Sequence, residues 1–181
     1  MIRALTILVF CLFLPFGQAT ADQNDPRLND LFNKLQRLEA GADVHRVVSA
    51  IWSVWLLGED DTASRKLAVG NALFQQRKFD QALEVFDKVI ADYPNFSEAW
   101  NKRATLYFVV GRLDESLRDV EKTISLEPRH FGALSGAAQI YMEQERWEDA
   151  LQAYRQATRV NPHLPNGKQI ISNLEDKLKG I

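Results

Sequence analysis

Apolar residues recur along this chain at helical spacing. From Asp25, "DPRLNDLFNKLQRLEA" sets Leu28, Leu31, Phe32, Leu35 and Leu38 on one face, with Asp25 placed to cap the helix and Pro26 at its first position. "DVHRVVSAIWSVWLLG" follows with Val44, Val47, Val48, Ile51 and Trp55 at the same rhythm and Asp43 as its expected cap. Near the far end Ile170, Ile171, Leu174 and Leu178 form the stripe of a last helix, and Lys168, Glu175, Asp176, Lys177 and Lys179 mostly face water. Aromatic residues at helical spacing beside Val48 and Ile51 read as core, so Trp52 and Trp55 are expected to be packed rather than displayed.

Between these flanks the pattern repeats at a fixed step. "FDQALEVFDKVIADYP", "LDESLRDVEKTISLEP" and "WEDALQAYRQATRVNP" are 34 residues apart and end at Pro94, Pro128 and Pro162. Small residues Ala82, Ser116 and Ala150 are each followed four residues later by Phe86, Val120 and Tyr154 on the same helical face. Earlier in each copy Gly70, Ala104 and Ala138 are followed by Leu73, Tyr107 and Tyr141. Each copy is therefore two helices meeting where small residues let them approach. Turns fall at "QQRKF", "VVGRL" and "EQERW", and the proline ends the second helix because it cannot donate the helical hydrogen bond.

Three copies in register resemble the tetratricopeptide repeat, a 34-residue helix-turn-helix unit with the pattern W-x2-L-G-x2-Y, A-x3-F and P. "WNKRATLY" from Trp100 and "ALQAYRQATRVNP" carry the likeness most fully. Lys66 and Leu134 replace the tryptophan, Arg103 replaces a leucine, and Val120 with Thr123 loosen the second copy, but the size classes survive. The resemblance implies an all-α, right-handed superhelical solenoid of antiparallel helix hairpins. Its expected divisions are three repeats at 63–96, 97–130 and 131–164, an N-terminal hairpin at 22–62 acting as a degenerate repeat or cap, and a capping helix at 165–181.

Residues 1–21 stand apart. "MIRALTILVFCLFLPFGQATA" has a basic start at Arg3, an apolar run from Ala4 to Phe16 and a small-x-small end, the layout of a secretory signal cleaved after Ala21. The run is shorter than the roughly 20 residues of a spanning helix, so no stable membrane insertion is expected after cleavage. Its loss removes Cys11, the only cysteine, and leaves a mature chain without disulfides, thiolate nucleophile or sulfur-ligated metal. It also removes Arg3, so 21 basic residues face 24 acidic ones. That balance argues against nucleic acid, which demands clustered cations. A composition 46% hydrophobic and 25% charged is that of an ordinary globular domain.

The remaining polar residues point to no chemistry. His45, His130 and His163 do not recur at the 34-residue step, so no catalytic site, metal site or cofactor is expected, and the chain reads as a non-enzyme without a small-molecule substrate. "GEDDTAS" reads as a helix cap at Asp60, Asp61 or Thr62 rather than a calcium loop. Arg103 is placed to pair with an acid across helices.

In the resembled family the first helices line a concave face that binds a peptide or helix of a partner. By register the inward positions are Leu67, Asn71, Phe74 and Gln75 in the first copy and Asn101, Lys102, Thr105, Phe108 and Val109 in the second. Ser135, Gln139 and Met142 follow in the third, and Phe74, Phe108 and Met142 are expected to form an apolar line. Members that grip a terminal carboxylate use cations where this chain has Leu67, Gly132 and Gly136, so an apolar or mixed ligand is expected instead. The resemblance extends to small periplasmic proteins of this repeat type in proteobacteria. It implies a non-enzymatic protein-binding adaptor of the bacterial periplasm, the alternative being a permanent structural subunit of an envelope-assembly or maturation complex.

Overall fold

The computed structural model describes residues 23–180, all helical with nine helices and no strand among them. The expected leader at 1–21 lies outside the described residues. α1 (Arg27–Leu35) and α2 (Ala42–Trp55) form a hairpin at the N-terminal side. Three repeated hairpins follow: α3 (Asp61–Gln75) with α4 (Phe79–Asp92), α5 (Ser97–Val109) with α6 (Leu113–Leu126), and α7 (Phe131–Glu143) with α8 (Trp147–Val160). α9 (Gly167–Lys179) comes last and buries Leu174 against Tyr154 and Ala150. From α3 to α9 consecutive helices pack on one another, which is a solenoid.

The small-residue contacts hold the hairpins together as the sequence implies. Ala82, Ser116 and Ala150 are at most 1% exposed. A Cβ added at Gly70 would lie 2.5 Å from the Phe86 ring, so only glycine fits there. In the second repeat the contact is polar, since Ser116 Oγ donates to the Ala104 carbonyl at 2.8 Å. Each hairpin turn also carries one residue at positive φ: Arg77, Gly111 and Glu145, again 34 apart. The next N–H, on Lys78, Arg112 or Arg146, returns to the carbonyl of Leu73, Tyr107 or Tyr141 and closes the preceding helix. Only the second copy uses glycine at this left-handed position.

Two of the expected helix starts are observed and one is displaced. Asp60 accepts from the Ala63 N–H at 2.7 Å, and Asp25 accepts from the Arg27 N–H at 2.8 Å. Asp43 is not a cap. Gly41, at φ 154, turns the chain into α2 two residues earlier, so the Asp43 carboxylate sits inside the first turn and pairs with Arg46. Arg103 bonds Asp119 at 2.7 and 2.8 Å and reaches back to Asp87 of the preceding repeat at 2.7 Å.

The N-terminal hairpin does not stack on α3 as a further unit. Val69, one repeat before Arg103, faces where such a unit would sit and is 53% exposed. The hairpin instead lies along a flank of the solenoid, where Leu28, Phe32, Leu35, Ile51 and Trp55 share one core with Phe131 of α7. α1 and its flanks cross, in order, the turns that follow the three repeats. Gln23 bonds the Asn95 carbonyl and the Ser97 N–H; Asn29 accepts from Arg129; Gln36 donates to the Arg159 and Val160 carbonyls; and the Leu35 carbonyl meets His163. Asn29 and Leu35 stand six positions apart on α1, about 9 Å along its axis, and reach successive turns. α1 is thus a spar laid across the repeats.

Candidate functional site

The first helices of successive repeats leave a cavity of about 180 Å³ between α5 and α7. Ala104, Val120 and Ile140 contribute apolar wall, while Asn101, Thr105, Phe108, Ser116 and Gln139 complete the lining together with Gly132 and Gly136. No charged side chain lines it. Four of the inward residues picked from register therefore meet here: Asn101, Thr105, Phe108 and Gln139.

The other picks lie elsewhere. Leu67 presents no surface, being 1% exposed in the core shared by α3, α4 and α5. Lys102 is engaged rather than free: its ammonium lies 2.9 Å from Glu98 and 5.5 Å from the centre of the Trp52 ring. Ser135 turns its hydroxyl back to the Phe131 carbonyl. Asn71 is half-buried, while Gln75 and Val109 are exposed. Phe74 and Met142 are half-buried against different core clusters, Phe74 beside Phe79 and Met142 near Trp147, and neither lines the cavity. The apolar line is thus three separate packing residues, of which Phe108 alone borders the cavity.

At Gly132 the cavity wall is backed by the N-terminal hairpin. Trp52 of α2 packs against Gly132 so closely that a Cβ there would lie 2.6 Å from its ring. Beneath it Trp55, fully buried, stacks on His130 at 4.1 Å between ring centres. His130 Nδ1 accepts from the Ala133 N–H at 3.0 Å and so caps α7, which leaves Nε2 to donate to Glu98 Oε2 at 2.9 Å. Asn101 Nδ2 donates to the same oxygen at 2.9 Å. Lys102 pairs with Oε1 at 2.9 Å and neutralises its charge. Burial would raise the Glu98 carboxyl, but the His130 bond and the Lys102 charge outweigh it and hold the group below the ordinary glutamate range.

This cluster braces the N-terminal hairpin against α5 and α7. Both His130 nitrogens are occupied, His163 Nε2 meets the Leu35 carbonyl, and His45 is exposed. Among the described residues no three His, Cys, Asp or Glu side chains converge on a metal-sized point. Nor is any described helix long and apolar enough to cross a membrane. What the arrangement offers is a neutral recess with hydrogen-bonding groups among its lining.

A family model described as tetratricopeptide repeat matches residues 67–124 and 101–165. A TPR repeat-containing protein of Rhizobium etli is 30% identical over 154 residues, covering 85% of this chain and 76% of that protein. Hsp70-Hsp90 organizing protein 1 of Glycine max is 28% identical over 105 residues, 58% of this chain, but the match spans only 18% of that protein. Among solved structures, the first TPR of Spaghetti (RPAP3) bound to HSP90 peptide SRMEEVD superposes with a TM-score of 0.62 at 20% identity, covering 65% of this chain and 93% of that one. The Sgt2 TPR domain from Aspergillus fumigatus does so at 0.61 and 16% identity, covering 66% and 81%.

Proposed function

Since the chain belongs to the tetratricopeptide repeat family, we propose that it is a non-enzymatic adaptor of the bacterial periplasm whose α5–α7 recess holds a segment of a partner protein. The observation that carries this reading is the uncharged cavity at Asn101, Thr105, Phe108 and Gln139, where a bound backbone would find amide and hydroxyl groups beside an apolar wall. Solved relatives in fold hold an HSP90 peptide, SRMEEVD, and an HSP70 peptide, SGPTIEEVD, which are acidic at their ends. Here the recess has no free cation to meet such an end, which favours an apolar segment.

Crosslinking in the native envelope, followed by identification of the captured protein, supplies the partner for the test. Binding hot spots are few and often aromatic, so Phe108→Ala is expected to weaken capture by about 2 kcal/mol, roughly thirtyfold, with the helical circular dichroism retained. Arg118→Ala, an exposed change on α6, serves as the control. Undiminished capture by folded Phe108→Ala protein would sink the groove reading. The location rests on the leader-like run ending at Ala19-Thr20-Ala21. Exported protein should show an intact mass starting at Asp22, and a membrane-bound species retaining Met1 would count against it.

A further inference from the structure

Gly136 has no task in the fold, and from that we infer that it is a ligand-contact position: its bare Cα admits one apolar side chain of a neutral partner segment into the α5–α7 recess. This rests on the adaptor reading above and adds the chemistry of what is bound. Glycine is the poorest helix former after proline, so one inside α7 needs a reason. Gly70 and Gly132 have theirs, because a Cβ at either would collide with Phe86 or Trp52. A Cβ at Gly136 would meet only Val120 Cγ2, at an ordinary 4.0 Å. Its backbone has no positive φ. The space left open is cavity, and close approach of another group to the backbone is the remaining use of a missing side chain.

The surroundings define the visitor. Ala104, Val120 and Ile140 suit an aliphatic or aromatic side chain, and no charged group lines the cavity to match an acid or a base. Asn101, 7% exposed, lines the cavity with its Nδ2 committed to Glu98. A peptide N–H carried beside the apolar side chain would meet its Oδ1, the acceptor end of the amide. The preferred ligand is thus an uncharged residue within a chain, not a chain-terminal carboxylate.

The probes are N-acetyl-leucine methylamide and N-acetyl-phenylalanine methylamide, with N-acetyl-glutamate methylamide and the peptide SRMEEVD as charged comparisons. Titrations against the mature chain are followed by amide NMR shifts. The neutral apolar probes should move the Gly136, Thr105 and Phe108 amides, and the charged ones should not. Gly136→Ala should weaken the apolar probes at least tenfold while raising Tm by about 2–4 °C through better helix propensity. That opposition of binding and stability separates a ligand contact from a packing role. Equal probe binding by Gly136→Ala, preference for either acidic probe, or absence of shifts at these amides each overturns the inference. Partner capture lost in Phe108→Ala but intact in Gly136→Ala would leave the adaptor reading standing and remove this one.

Discussion

Trp55→Ala is expected to cost about 3–5 kcal/mol of folding stability, the range for truncating a large buried aromatic residue. Trp55 is 0% exposed and joins three pieces of chain: it stacks on His130, packs on Phe131 and touches Phe32 of α1. Its removal leaves a hole where the N-terminal hairpin meets α7. Trp55→Phe should cost much less, because the indole Nε1 is buried without a partner and the smaller ring removes that unsatisfied donor. Urea unfolding followed by circular dichroism ranks the two. A loss below about 1 kcal/mol for the alanine variant would mean that the hairpin does not rest on α7 as described.

Glu98→Ala should be comparably severe, at about 3–5 kcal/mol, the usual penalty for breaking a buried ion pair. It leaves the His130 Nε2–H, the Asn101 amide and the Lys102 ammonium without their common acceptor. The same carboxylate sets an acid limit. Its pKa is lowered by folding, so its contribution is complete above the ordinary glutamate value of 4.5 and is lost as pH falls through the folded value below it. Melting temperature should therefore drop between about pH 4.5 and lower pH in the parent, and drop less steeply in Glu98→Gln. Parallel pH profiles in the two proteins would remove Glu98 from this role.

The solenoid was legible because its contacts are local. Ala82 meets its helical neighbour within one 34-residue unit, so spacing alone reports the packing. Four of the positions taken from register, Asn101, Thr105, Phe108 and Gln139, border the recess. Register failed for Leu67, since facing inward by count does not say whether the neighbouring repeats close over the side chain, and here they do. The brace was illegible for a different reason. Trp52 and Trp55 read correctly as packed residues, yet helical periodicity names a face and not the surface it meets. A signal did exist in the repeat itself: the counterparts of His130 one step away are Phe96 and Leu164, so a polar ring stands in an apolar series. The counterparts of Gly132 are Ser64 and Glu98, which marks a position where the third copy gives up its side chain. Arg77 and Glu145 hid the left-handed turns, because only Gly111 carries the usual residue for that backbone.

The spar formed by α1 alters how such an array can come apart. Units that touch only their neighbours fray from either end and refold by propagation, each step nearly independent of the rest. Here residues 100 to 128 positions apart are tied: Asn29 to Arg129, Gln36 to Val160 and Leu35 to His163. Losing the third repeat therefore also strips the first helix of its seat, and losing that helix frees all three turns at once. A ladder with detachable rungs becomes a closed loop that opens in one cooperative step. Such long-range ties bring a slower search for the folded state, because distant segments must meet before the loop is secured.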